Sequence, residues 1–333
     1  MEEGRMKAVF CTKYGPAEVL QLGETDIPTP QDDQMFVEIK ASAVTRSDIF
    51  IRSSDIPVRF MIPMRMLIGI LRPRKSIIGL VFSGIVKTAG KLTTRFSPGD
   101  EVYGMTGFSL GAYAEYTCIK EKDSTAVCVS RKPANISFEE ATAAVYGGAL
   151  ALQYMEKGNI EKDQHILISG TSGTLAVQYG KHLGADVTAV CSGRHADFVK
   201  SLGADRVIDY TTTDSLDENV RYDFVLDSVG KAKTSPLKEA CKKALTANGK
   251  FASIDDGALQ LSSKRLDLLT GLIEEKRMAP VLDKVFPLEE IVAAHKYVEE
   301  GHKRGGVAMR IDHEPALGTD ADSRSNPGIP GNR

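Results

Sequence analysis

The sequence predicts an α/β protein in two parts, a β-rich, barrel-like domain followed by a doubly wound parallel sheet. Three observations carry this expectation. Residues 164–194 read strand, small-residue turn, helix, strand, which is one βαβ unit. Strand signals then recur near residues 165, 187, 206, 223 and 249 with helical patterns between them, the rhythm of a parallel sheet. The first 130 residues instead hold short strands separated by Pro and Gly turns, as a small barrel would.

Taken in order, residues 6–12, 35–42 and 85–88 are strand candidates, set between turns such as Tyr14-Gly15-Pro16 and Pro28-Thr29-Pro30. Pro98 and Gly99 supply a tight turn within 96–103 that feeds a strand, and 111–116 and 126–129 continue the β pattern. At Pro133 the texture changes. Ser137 with Glu140 three residues on forms a capping box, and an Ala-rich helix runs from it to about Val145. Ile166, Leu167 and Ile168 are an apolar run that reads as a buried strand. From Thr174 the period becomes helical, with Leu175, Tyr179 and Leu183 on one stripe, until Gly184 closes the helix. Residues 288–300 form a last long helix and 306–311 a closing strand. Residues 314–333 are rich in Pro, Gly, Asp, Ser and Asn without apolar periodicity, and are expected to be a disordered tail.

Composition narrows the function classes. A chain of 333 residues suggests two domains, and 42% hydrophobic with 26% charged residues is ordinary for a globular enzyme-sized protein. The net charge of −2 gives no general attraction to nucleic acid. No stretch is long and apolar enough for a signal peptide or a membrane span. Five cysteines, odd in number and scattered, read as thiols in a reducing compartment, so a cytoplasmic location is expected.

The turn after the first parallel strand has the physics of a phosphate site. Free N–H groups and the helix dipole at a helix start attract an anion, and glycine lets a pyrophosphate approach the backbone. Gly170, Thr171, Ser172, Gly173 and Thr174 form this turn, and Gly173 with Ala176 matches the last two positions of the dinucleotide fingerprint. Thr171 stands where its first glycine would be. A parallel sheet whose turn binds nothing remains the alternative reading.

The order of landmarks resembles the medium-chain dehydrogenase/reductases, and in particular their zinc-independent quinone oxidoreductase-like branch. The matching stretches begin with Met6-Lys-Ala-Val, Tyr14-Gly-Pro and Ile78-Gly-Leu-Val-Phe-Ser-Gly. Phe96-Ser-Pro-Gly-Asp-Glu-Val-Tyr-Gly, Gly111-Ala-Tyr-Ala-Glu-Tyr and Lys132-Pro-Ala-Asn-Ile-Ser-Phe-Glu-Glu-Ala follow. Beyond the Gly turn come Leu202-Gly-Ala-Asp-Arg-Val-Ile-Asp-Tyr, Asp223-Phe-Val-Leu-Asp-Ser-Val-Gly and Gly301-His-Lys-Arg-Gly-Gly. The resemblance implies a GroES-like catalytic domain over 1–131, a Rossmann domain over 132–279 and a return to the catalytic domain over 280–313. It further implies a homodimer or homotetramer, and a cleft in which NADP(H) meets a small-molecule substrate. Against the family's usual loop, residues 170–174 are about three residues short, most of a helical turn. The stretch after Asp256 is also shorter than usual.

Ser192 and Arg194 follow the second strand, where NAD-binding sheets place an acid. A hydroxyl and a guanidinium suit the 2′-phosphate of NADP instead. The nearest acid downstream in sequence is Asp197. By family position Tyr210, Ser228 and Asp255 join the cofactor set. No metal is expected. Thr45-Arg-Ser-Asp-Ile stands where a cysteine ligand would lie, Leu80 and Val81 follow Gly79, and no Cys-x-x-Cys occurs. Of the histidines, His182 and His195 read as helix-surface residues and His295 as part of an amphipathic helix.

Without metal, the expected chemistry is hydride transfer to a quinone, enone or related carbonyl compound. Tyr146, Thr45 and Asp48 are the candidate catalytic residues by family position, with core packing, turn capping or pairing of Asp48 with Arg52 as alternatives. A non-catalytic protein acting through other contacts is the competing reading, motivated by the short Gly turn. Residues 52–75 hold five arginines and one lysine against Asp55, interleaved with Met61, Met64, Met66, Leu67, Ile68 and Ile70. This segment suits a substrate lid, a membrane contact or a solvated loop.

Overall fold

The computed structural model describes residues 4–55, 65–66, 68–124, 127–170, 173–213, 215–230, 237–257, 259–301 and 303–313. The expected tail at 314–333, Thr171 and Ser172 of the Gly turn, and Met61, Met64 and Leu67 lie outside these residues.

Strands β1 (Arg5–Cys11) and β2 (Leu20–Asp26) form an antiparallel pair. After β3 (Gln34–Ala43) the short helix α1 (Arg46–Ser53) intervenes before β4 (Val81–Ala89) and β5 (Glu101–Met105). Strands β6 (Tyr116–Lys120) and β7 (Cys128–Arg131) complete the first lobe. The segment expected as a strand at 111–116 instead bridges two elements: Tyr113 accepts from Val9 N and Glu115 accepts from Ile39 N.

The long helix α2 (Phe138–Glu156) starts at the expected capping box, with Glu140 N donating to Ser137 Oγ at 3.1 Å and Ser137 N to the Glu140 carboxylate at 2.8 Å. It does not stop near Val145. Gly147 and Gly148 weaken the local preference for helix, but tertiary packing overrides it. A Cβ at Gly148 would lie 2.4 Å from Leu269 Cδ2, so the missing side chain is the space into which a neighbouring helix packs.

The second lobe is a parallel sheet of β8 (His165–Ser169), β9 (Asp186–Cys191), β10 (Arg206–Asp209), β11 (Tyr222–Asp227) and β12 (Leu245–Ser253), in the order β10-β9-β8-β11-β12. The order reverses between β8 and β11, the switch point at which doubly wound sheets bind ligands. Helices α3 (Thr174–His182), α4 (Ala196–Ser201) and α5 (Lys238–Lys243) connect these strands. The run Ile166–Ile168 is fully buried, and its side chains alternate: Ile166 and Ile168 join the main core, Leu167 the smaller core on the other face.

Helix α6 (Ser263–Glu274) then leads back to β13 (Leu282–Pro287), α7 (Ile291–Glu300) and β14 (Gly306–Arg310). Strand β14 pairs antiparallel with β3, so the chain's end closes the first lobe into a seven-stranded sheet. Helix α6 is bonded to that lobe as well: Arg95 meets Asp267 with two 2.9 Å contacts, Tyr103 donates to the Leu266 carbonyl at 3.0 Å, and Asn135 donates to the Ile273 carbonyl at 2.9 Å. Among the described residues no helix is long and apolar enough to cross a membrane.

Candidate functional site at the junction of the two lobes

On the barrel side the site is built by α1. Thr45 caps this helix: its Oγ1 accepts from Asp48 N at 3.3 Å, and Asp48 Oδ2 accepts from Thr45 N at 2.8 Å and from Thr45 Oγ1 at 2.5 Å. Asp48 Oδ1 accepts from Leu80 N at 3.0 Å, tying the helix to the start of β4. The Asp48 carboxyl is wholly buried, and that burial raises its pKa from 3.8 to about 6 against the pull of these hydrogen bonds. It touches no solvent-facing space, so it holds the helix rather than meeting a substrate.

Nor does Asp48 pair with Arg52. The Arg52 guanidinium is buried and bonds to Glu299 of α7, a residue far away in sequence that packing brings within reach. The Arg52 charge and burial together push His295 down to about 3, with burial the larger cause. His295 is wholly buried and lies 3.3 Å from the Tyr113 hydroxyl, and His195 is buried rather than on a helix surface. Both histidines therefore serve the interior.

Ser47, two residues beyond Thr45, was not singled out from the sequence, yet its Oγ lies 2.8 Å from the Tyr146 hydroxyl. This contact joins α1 of the barrel to α2 at the lobe junction. Both residues are partly exposed. Burial is the main cause that raises the Tyr146 pKa; the Ser47 hydrogen bond opposes it and the Asp48 charge adds to it, so the phenol stays protonated at neutral pH. Ser47 falls inside the Thr45-Arg-Ser-Asp motif, which was the available signal. Lys303, just before β14, donates to the Gly305 carbonyl at 2.9 Å. Burial lowers the Lys303 pKa, Asp283 opposes this, and the Arg46 charge lowers it further.

On the sheet side the turn tightens. Gly173 N donates to the Gly170 carbonyl at 3.1 Å and the helix begins at once with Thr174. Gly173 is the N-cap of α3 and carries no side-chain hydrogen bond, so the first-turn N–H groups have no side-chain acceptor there. A Cβ is excluded at both glycines. A Cβ at Gly170, which has φ +95°, would lie 2.7 Å from Val229 Cγ2, and one at Gly173 would lie 2.7 Å from Ile168 Cγ2. Ser228, from the expected set, donates to the Ser169 carbonyl and braces the turn from across the switch point.

Below the turn sits a buried acid that sequence reasoning passed over. Asp227 accepts from Val229 N at 3.1 Å, Gly230 N at 3.2 Å, Ser169 Oγ at 3.3 Å and Ser253 Oγ at 3.2 Å, and pairs with Lys238 Nζ at 2.5 Å. Burial alone would raise its pKa, but Lys238 and the backbone donors outweigh that and hold it below the usual carboxylate range. Asp255, one strand further along, is exposed.

Ser192 is buried and Arg194 exposed at the end of β9, while Tyr210 is exposed at the end of β10. An acid that distance along the chain hides stands at this corner: Asp209, which the parallel register sets beside Cys191. Its carboxylate lies 2.3 Å from where a Gly193 Cβ would be. Thr211 donates to it from Oγ1 at 2.7 Å and from N at 2.9 Å, which is the main reason its pKa is depressed.

These features could hold a dinucleotide: two glycines and a helix start that Gly173 leaves without a side-chain cap for the phosphates, and a hydroxyl and guanidinium at the corner for the ribose. Among the described residues no three His, Cys, Asp or Glu side chains gather where they could hold a metal.

The chain matches the alcohol dehydrogenase GroES-like domain over residues 31–129 and two zinc-binding dehydrogenase models over 173–269 and 258–308. It is 30% identical to the 2-methylene-furan-3-one reductase of Solanum lycopersicum, across 91% of this chain and 79% of that protein. It is 28% identical to the chloroplastic quinone-oxidoreductase homolog of Spinacia oleracea, across 91% and 98%. The solved quinone oxidoreductase of Coxiella burnetii superposes with a TM-score of 0.76 at 25% identity, covering 93% of this chain and all of that one (100%). The matched domains, these relatives and a parallel sheet docked on a GroES-like barrel lead to one conclusion: the chain belongs to the medium-chain dehydrogenase/reductase superfamily, among its quinone oxidoreductase-like members.

Proposed function

We propose that the chain is a zinc-independent, NADPH-dependent oxidoreductase that reduces quinones, enones or related carbonyl compounds. The observation that carries this reading is the Ser47–Tyr146 hydroxyl pair, 2.8 Å apart at the junction of the two lobes. Relatives named as NADPH-dependent alkenal/one oxidoreductase and quinone oxidoreductase support both the cofactor and the substrate class. Zinc independence rests on the donors: Thr45 is taken up in a helix cap, and Leu80 is apolar.

NADPH, when bound, would supply a hydride. The first turn of α3 and the Gly170 and Gly173 backbone would hold the pyrophosphate, and Arg194, Ser192 and Tyr210 would take the adenosine ribose and its phosphate. The Tyr146 hydroxyl donates the proton that the substrate needs, and Ser47, partly open to solvent, orients it and returns the proton. Thr45 and Asp48 position Ser47 by capping its helix.

The α6 hydrogen bonds to the barrel support a domain boundary near residue 262 rather than 279. A homodimer or homotetramer follows from the family resemblance, and β12 has a strand neighbour on one side alone among the described residues, an edge a second copy can pair with. The five cysteines are all free, which fits a reducing location such as the cytoplasm.

The test is calorimetric titration of the purified chain with NADPH and NADH, followed by a screen of quinones and enones for NADPH oxidation. Micromolar NADPH binding with turnover supports the reading. Absence of binding by either nucleotide overturns it and favours the non-catalytic alternative.

A further inference from the structure

From the turn that follows Arg65, we infer that the chain carries a docking knob for the surface of an anionic lipid bilayer. The tip is apolar and projects into solvent: Leu71 is 89% exposed, Ile70 66% and Met66 62%. Two aliphatic side chains side by side at such exposure cost free energy in water and gain it when inserted.

The turn is braced rather than loose. Gly69 N donates to the Arg65 carbonyl at 2.9 Å and Arg74 N to the Ile68 carbonyl at 2.7 Å. Tyr14 donates to the Gly69 carbonyl at 2.7 Å, and the Arg65 guanidinium lies 4.6 Å from the Tyr14 ring centroid while donating to the Ile70 carbonyl at 2.5 Å. Gly69 has φ +123°, and a Cβ there would fall 2.0 Å from the Arg72 carbonyl oxygen, so the tight reversal needs glycine. Ile68 and Pro73 are buried at the root. The protein lobe thus holds Ile70 and Leu71 outward.

Charge identifies the partner. Arg72, Arg74 and Lys75 are exposed, they have no anionic partner among the described residues, and no Asp or Glu occurs between Arg65 and Ile78. An apolar tip ringed by cations matches the headgroup boundary of a bilayer holding anionic lipids, where aliphatic side chains enter the acyl region and Lys and Arg stay at the phosphates. The chain's net charge of −2 gives no such attraction overall, so it has to come from this local cluster. Apolar quinones partition into bilayers, so docking would bring the proposed reductase to its substrate, but the knob stands without that reading.

The experiment is flotation of the full chain with vesicles of phosphatidylcholine alone or mixed with phosphatidylserine, at low and raised salt. Binding is expected with the phosphatidylserine mixture, weakening with salt. The R72A/R74A/K75A variant should lose on the order of 100-fold in partitioning, and I70S/L71S roughly 10-fold or more, with thermal midpoints and NADPH affinity as in the parent. Equal binding to both vesicle types, or undiminished binding by I70S/L71S, overturns the inference. So does a parent dimer that I70S/L71S converts to monomer, because a second copy would then be what covers the knob.

Discussion

Replacing Asp48 by Asn tests the most strongly perturbed carboxyl at the site. In the folded chain its pKa is raised from 3.8 to about 6, chiefly by burial. A carboxyl with a raised folded pKa binds its proton more tightly when folded. Its contribution is therefore fully present below pH 3.8 and is lost as pH climbs through about 6. The gap corresponds to about 3 kcal/mol at most. Asp48 is wholly buried, so solvent screening does not reduce this figure. Asn cannot ionise; its one oxygen can accept from Thr45 N or from Leu80 N but not both, and its amide then faces the other N–H, a cost that does not change with pH. Carboxylates with depressed pKa values, such as Asp227 and Glu121, act in the opposite direction. Urea midpoints of parent and Asp48→Asn should thus be measured together across pH 4 to 7 and subtracted. The difference should shift toward the variant as pH rises, whatever its constant offset. Parallel pH profiles would refute the assignment of a destabilising buried charge to Asp48.

Three further outcomes follow from the geometry. Tyr146→Phe should lower kcat by about 100-fold or more with little change in NADPH affinity, and Ser47→Ala should lower it less; steady-state kinetics with a quinone separates the two. Arg194→Ala should weaken NADPH more than NADH in calorimetry, whereas Asp209→Asn should strengthen NADPH selectively, since it removes a carboxylate from beside Gly193. Lys238→Met leaves Asp227 buried without its cation and should destabilise by about 3 kcal/mol, much of it recovered in Lys238→Met/Asp227→Asn, as read by urea unfolding.

Whatever depends on near neighbours was legible in the sequence. The Ser137–Glu140 capping box, the buried run Ile166–Ile168, the helix after Gly173 and the order of strands all rest on residues a few positions apart, where propensity and hydrophobic period act directly. The superfamily could be read for the same reason, since its landmarks are local motifs in order. What the tertiary structure alone decided is how distant groups meet. Helix α2 outruns its glycines because Leu269 packs into Gly148. Asp209 reaches the corner at Gly193 because β10 lies parallel to β9, an adjacency that distance along the chain hides. Ser47 finds Tyr146 because α1 and α2 meet where the lobes join, and Arg52 finds Glu299 rather than the nearby Asp48 because the chain returns through α7 to the first lobe. Pairing across such separations is set by packing of whole elements, and no residue pattern within one element encodes it.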